Sequence, residues 1–308
     1  MKLDRRGFLK ISGMAVAGGV AVAAPNVGAA ALAENDVGIL YDPSKCVGCR
    51  ACQMACKQWN KLPAESTNAQ ILPVEAGGNK IYDTPLGLTT ETWTLIKLGK
   101  AGDIGWHFFN YQCMHCTDAA CVTVCPSGAM FKDARGFTAY DRDKCIGCGY
   151  CTQFCPFGVP HLSTDNRIAG TLTGRAKAAK CTFCQDRMWN GLGGPSCAER
   201  CPVGALVWGQ RADLLQAANK RVDTLRSQGL STAALYGENV AGGLHRLSII
   251  FGEPGEYTLP VNPTSPALAD AWKGAIHWIG QAAFLAAFAA IGAVFFIARR
   301  NIPMEEVE

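Results

Sequence analysis

Apolar positions in this chain follow two patterns: long stretches without period near the two ends, and short periodic runs between them. Residues 274–298 contain no Lys, Arg, Asp or Glu, and Ala282 to Ala298 has no strongly polar side chain. A stretch that is apolar all round and of this length predicts a membrane-spanning helix. Ile11 to Ala24 is a shorter apolar stretch near the start. Between them, Leu215, Ala218, Val222 and Leu225 fall on one face of a helix predicted over Ala212 to Ser227, stopped by Gly229 and expected to dock on the core. Ala51 to Asn60 predicts a short helix. Gly38 to Tyr41, Trp93 to Leu98, Trp106 to Tyr111, Phe137 to Tyr140 and Leu247 to Phe251 are β-prone runs, with Gly99 to Asp103 as a hairpin turn. Trp106, Phe108 and Phe109 are expected to pack on the cysteine-rich region. Residues 230–270, punctuated by Gly and Pro, read as an arm running over the surface.

Cysteine changes this picture most. Cys145, Cys148, Cys151 and Cys155, followed by Pro156, stand in the spacing C-x2-C-x2-C-x3-C-P, the bacterial ferredoxin run for iron–sulfur clusters. Three more groups of four follow related spacings: Cys46, Cys49, Cys52 and Cys56; Cys113, Cys116, Cys121 and Cys125; Cys181, Cys184, Cys197 and Cys201. Together they account for all 16 cysteines. The first group ends in Lys57 rather than proline, the second has a widened middle gap, and the fourth carries Leu192 to Pro195 in a long insertion. A disulfide framework does not repeat in this way, and a third cysteine two residues on is one too many for a tetrahedral zinc site. His107 and His115 could ligate iron, but sixteen thiolates already fill four cubes.

In a two-cluster ferredoxin the fourth cysteine of one run serves the cluster of the other. The second and third runs are close in sequence and pair; the first and fourth pair across the chain. The expected sets are Cys113, Cys116, Cys121 with Cys155; Cys145, Cys148, Cys151 with Cys125; Cys46, Cys49, Cys52 with Cys201; and Cys181, Cys184, Cys197 with Cys56. Each set is expected to hold one [4Fe-4S] cluster, four in all. The fold class is α+β: a duplicated two-cluster ferredoxin-like core over 34–210, with a second unit at about 113–160 inserted in the first. An arm (211–271), an anchor (272–300) and a tail (301–308) follow.

Charge and the first residues add a compartment. The net charge is +4, of which Lys2, Arg5, Arg6 and Lys10 against Asp4 supply +3; the remainder suggests no nucleic-acid face. Arg5-Arg-Gly-Phe-Leu-Lys10, the apolar stretch behind it, and Ala31-Leu-Ala33 resemble a twin-arginine export signal over residues 1–33. That pathway carries folded proteins, so clusters can be inserted before the thiols meet an oxidising compartment. With the core exported, Arg299 and Arg300 remain on the cytoplasmic side, in accord with the positive-inside rule. No nucleotide-binding glycine loop and no catalytic constellation stands out, so no catalytic residue is expected.

Cys46-Val-Gly-Cys-Arg-Ala-Cys-Gln-Met-Ala-Cys-Lys-Gln-Trp-Asn60, Gln112-Cys-Met-His-Cys116, Cys145-Ile-Gly-Cys-Gly-Tyr-Cys151 and the anchor entry Ala271-Trp-Lys-Gly274 resemble the electron-transfer subunit of respiratory formate dehydrogenases. The likeness covers roughly residues 36–300. It implies a non-catalytic subunit that carries electrons from a molybdo- or tungsto-pterin catalytic subunit to a membrane cytochrome b and quinone. The implied location is the cell membrane, spanned once, with the ferredoxin part on the periplasmic side. Cys-Met-His-Cys and the layout are shared with iron–sulfur subunits of membrane-bound hydrogenases. A separate leader on the iron–sulfur subunit also fits those proteins, so a periplasm-facing uptake hydrogenase is the alternative.

Overall fold

The computed structural model describes residues 35–64, 85–163, 176–261, 263 and 277–301. The leader expected over 1–33, the approach to the anchor around Trp272 and Lys273, and the tail beyond 301 lie outside the described residues. The described residues fall into two units, the body over 35–263 and a helix near the C-terminus.

In the body the strands are β1 Val37–Tyr41, β2 Thr94–Ala101, β3 Gly105–Gln112, β4 Met130–Lys132, β5 Thr138–Tyr140, β6 His161–Leu162, β7 Ala178–Ala179, β8 Leu206–Gln210, β9 Ala233–Tyr236 and β10 Arg246–Phe251. The helices are α1 Ala51–Asn60, α2 Ala120–Thr123, α3 Tyr150–Phe154, α4 Gln185–Trp189, α5 Ser196–Glu199 and α6 Arg211–Ser227. The only sheet among the described residues with more than two strands has the order β8-β1-β10-β9. In it β1 runs parallel to β10 and antiparallel to β8. The period-2 alternation of a strand divides two cores. Leu40, Leu247, Ile249 and Phe251 face one way and pack on Leu214, Ala218, Val222 and Leu225 of α6. Ile39, Tyr41 and Ile250 face the other way, toward the cysteines. Burying each large aliphatic side chain of α6 contributes about 1.5–3 kcal/mol.

Several expectations are corrected here. Leu214, not Leu215, completes the buried face of α6; Leu215 lies at the margin of the same cluster. Residues 230–261 are not a surface arm. They supply β9 and β10, every residue of β10 is buried, and Gly243 to Arg246 hydrogen-bonds along the second cysteine run through Thr117 N to Gly243 O (2.8 Å), His245 N to His115 O (3.3 Å) and Arg246 N to Met114 O (3.2 Å). The β2–β3 turn falls at Gly102 to Ile104 rather than Gly99 to Asp103, because the register continues to Ala101 opposite Gly105. Gly102 lies in the left-handed region and presses against the Phe251 backbone. Trp106, at the turn end of the hairpin, is 70% exposed and does not reach the cysteines, whereas Phe109 is buried against Tyr41 and Tyr257.

The second described unit is α7, His277–Asn301, 25 residues long. Its described side chains run unbroken only from Ala282 to Ile297, and among the described residues no helix is long and apolar enough to cross a membrane. The sequence of α7 as a whole remains free of Lys, Arg, Asp and Glu up to Ala298.

Candidate metal centre

Each cysteine run begins with a tight loop that turns its sulfurs inward. In all four, the residue before the second cysteine is left-handed: Gly48 (φ 68°), His115 (48°), Gly147 (72°) and Phe183 (60°). Glycine adopts this conformation freely, whereas a side chain there is strained. His115 and Phe183 are held by contact with each other, ring to ring at 4.9 Å, and by the stacking of Phe183 on Phe137 at 4.9 Å. His115 does not turn toward iron; its Nδ1 lies 3.0 Å from Thr138 O.

Three runs end alike. After Cys125, Cys155 and Cys201 comes Pro-x-Gly, and Gly128, Gly158 and Gly204 take positive φ and donate N–H to the carbonyl of the cysteine three residues back. This is a turn that proline opens and glycine closes. Behind it, Met130 N and Leu206 N donate to Cys125 Sγ and Cys201 Sγ at 3.5 and 3.4 Å. The first run lacks the proline because α1 continues through Lys57 to Asn60. There Asn60 Nδ2 donates to Cys56 Sγ at 3.5 Å and takes the place of the backbone donor. Further N–H groups point at sulfur from Ala178 to Cys145, Phe183 to Cys181 and Ser196 to Cys184, each at 3.4 Å.

The sixteen thiols gather in four groups. Cys46, Cys49, Cys52 and Cys201 line one cavity, walled also by Tyr41, Ile96 and Leu206. Cys125, Cys145, Cys148 and Cys151 line a second. Near Cys116 stand Cys113, Cys121 and Cys155, and near Cys197 stand Cys181, Cys184 and Cys56, with Cys52 beyond them; each neighbour raises the thiol it faces. Among the described residues no three Cys, His, Asp or Glu groups converge closely enough for a single ion.

Burial is the main cause that pushes these thiols up, to about 12 for Cys52, Cys151 and Cys184 and about 11 for Cys56. Sulfur neighbours add to the rise at Cys52 and Cys151. Thiols in fours, seven of the sixteen buried and several met by N–H donors, suit thiolates bound to a metal group; a neutral thiol is a weak acceptor for so many donors. The donor set fits [4Fe-4S], whose potential responds to such bonds to sulfur.

The groups also have neighbours. Cys52 and Cys197 pack in one apolar cluster, Cys113 and Cys181 in another, and Cys151 and Cys121 in a third. One order satisfies all three: the Cys46 group, the Cys181 group, the Cys113 group, the Cys145 group. The sequence carries no signal for this order.

Comparison with known proteins agrees with this donor set. Residues 104–211 match the 4Fe-4S dicluster domain family and residues 37–58 a 4Fe-4S binding domain. The iron–sulfur subunit of the nitrate-inducible formate dehydrogenase of Escherichia coli K12 is 34% identical over 84% of each chain. The chain belongs to the family of formate dehydrogenase iron–sulfur subunits. The formate dehydrogenase iron–sulfur subunit of Haemophilus influenzae is 33% identical over 80% of this chain and 76% of its own. Within the wider family, the hydrogenase-2 operon protein HybA of Escherichia coli O157:H7 is 33% identical over 89% of this chain and 87% of its own. Charged residues beside the cysteines make structural contacts: Asp186 accepts from Trp59 Nε1 at 2.8 Å, tying α1 to α4, and Asp141 caps the Asp143 and Lys144 amides.

Proposed function

We propose that this chain is the electron-conducting subunit of a respiratory formate dehydrogenase and holds four [4Fe-4S] clusters, one in each group of four cysteines. The observation that carries the reading is the set of four thiol groups in single file, three of them with N–H donors within 3.5 Å of sulfur. Bound clusters supply one-electron redox chemistry. The residues fix their positions, exclude water from most of the sulfurs and set the charge around them.

The file has two ends. At one, Cys49 is the exposed cysteine among the sixteen, and Val47 (59%) and Met54 (55%) stand out beside it. At the other, Ile146 is 48% exposed next to Cys145. These ends are where electrons enter and leave, one facing a molybdo- or tungsto-pterin catalytic subunit and the other a membrane cytochrome b. Residues 1–33 direct export by the twin-arginine route, and 272–300 anchor the chain with its body on the periplasmic side.

A second reading, the same role in a periplasm-facing uptake hydrogenase, draws on the likeness to HybA and on the chain's own leader. Purifying the complex from membranes through a tag on this chain tests both. Sixteen irons per chain beyond the haem and any other iron held by the partner subunits, together with cluster reduction by formate, support the first reading. Reduction by hydrogen and not by formate transfers it to the second, and iron near eight refutes four clusters.

A further inference from the structure

Strand β3 carries two amides on one face, Asn110 and Gln112, and each reaches a different thiol group. Asn110, fully buried, directs Nδ2 at Cys52 Sγ at 3.8 Å. Gln112, also buried, lies 3.9 Å from Cys197 Sγ through Oε1, while Thr94 Oγ1 stands 3.1 Å from the same oxygen. Its Nε2 has no partner. A metal-bound sulfur carries no proton to donate. Turning the amide over then pairs Nε2 with both Cys197 Sγ and the Thr94 hydroxyl, which accepts as readily as it donates. Asn110 is itself held: Arg246 Nη2 donates to its Oδ1 at 2.7 Å and to its carbonyl at 3.0 Å. The Arg246 guanidinium is fully buried, donates also to Leu247 O and Ser248 Oγ, and lies 5.1 Å from the centre of the Tyr41 ring.

We propose that Asn110 and Gln112 tune the clusters of the Cys46 and Cys181 groups, and that Arg246 is the positioning residue that locks Asn110 and supplies a buried positive charge between them. This rests on the four-cluster reading. A reduced cluster carries one more negative charge than the oxidised form. N–H donors to sulfur and a nearby cation therefore favour the reduced form and raise the potential. Cys197, Cys52 and Cys181, all members of these two groups, are the thiols that act most on the buried guanidinium. The clusters of these two groups are thus biased upward.

The test is a redox titration of the intact membrane complex followed by electron paramagnetic resonance, with iron measured on each sample. Asn110→Leu is expected to lower one of the four midpoints by about 59 mV, a tenfold change in the oxidised-to-reduced ratio for one electron. Gln112→Leu is expected to lower a different one. Arg246→Lys keeps the charge but not the fork, and is expected to lower the same midpoint as Asn110→Leu by less. Asn110→Asp keeps the shape while replacing the donor by an acceptor, and guards against a packing defect in the leucine variant; it is expected to lower that midpoint further. The two remaining midpoints serve as internal references: a shift of all four together marks general loosening and overturns the assignment, as do four unchanged midpoints at full iron. Wild-type iron far from sixteen per chain, after subtraction of the iron held by the partner subunits, fails the four-cluster reading instead, whatever the variants do.

Discussion

Two glycines in the third cysteine run separate backbone strain from lack of space. Gly147 has φ 72°, and a Cβ there would meet the Ala176 Cβ at 2.5 Å and press on the Ala176 carbonyl. Gly158 has φ 61° with nothing within 4 Å. Left-handed backbone alone costs a side chain about 1–2 kcal/mol, so Gly158→Ala is expected to keep full iron and lose only a few degrees of thermal midpoint. Gly147→Ala adds a clash beside Cys145 and Cys148 and is expected to lose the iron of one cluster. Equal iron in the two variants would show that the loop yields. A second residue-scale effect concerns His245, buried between β1 and the second cysteine run, with Nδ1 2.7 Å from Val37 O. Burial is the main cause holding it well below the ordinary imidazole range; the Val37 carbonyl opposes this, nearby Lys132 reinforces it, and Asp36 opposes it in turn. A depressed folded value means that its contribution is complete above the unfolded pKa of about 6.5 and is lost as pH falls below it. Thermal midpoints of the complex are expected to drop between pH 7 and pH 5, and less so in His245→Asn, whose amide can still donate to Val37 O.

At the scale of elements, the spacing of cysteines was legible and the pairing of strands was not. Runs such as Cys145 to Pro156 state their local loops because proline and glycine dictate the turns. The helices over Ala51–Asn60 and Arg211–Ser227 follow from period and stop signals. The central sheet joins β1 to β8 and β10, with Ile39 opposite Trp208 and Arg246, and nothing local encodes that. Gly-punctuated residues 230–261 therefore read as an arm while serving as sheet. Leu214 displaced Leu215 because α6 offers the two on adjacent faces and the way it docks on β1 and β10 buries Leu214. The missing proline after Cys56 is explained only by α1, which runs on to supply Asn60. It follows that Lys57→Pro, which restores the pattern of the other runs, is expected to harm the protein. Proline inside a helix costs about 3 kcal/mol or more, and Lys57 Nζ would also release Glu91 O (2.8 Å) and Pro63 O (2.9 Å). Lower thermal midpoint and loss of one cluster's iron are the outcomes to measure; an unchanged or more stable variant would mean that α1 does not depend on this turn.

For the whole molecule, the question is what α7 adds to a body that already gathers all sixteen cysteines. The groups and the sheet that braces them are complete by Phe251, and no ligand cysteine lies beyond Cys201. Deleting residues 272–308 is therefore expected to leave sixteen irons per chain and unchanged reduction of an artificial dye by formate in the complex. The deleted segment is free of charged side chains over 274–298 and includes the 25-residue helix α7. Ala283, Ala286, Ala287, Ala290 and Gly292 are small enough to let another transmembrane helix approach closely. A helix without redox groups carries no electrons, so on the reading proposed above its effect on quinone reduction must come through placement: it keeps the body at the membrane that holds the acceptor. Electron transfer weakens steeply with distance, and a body released from the membrane meets the acceptor only by diffusion. Quinone reduction by formate is accordingly expected to fall at least tenfold in the truncated complex while dye reduction does not change, and the truncated chain is expected in the soluble fraction. Full-rate quinone reduction with the segment gone would show that docking of the body alone sets that distance.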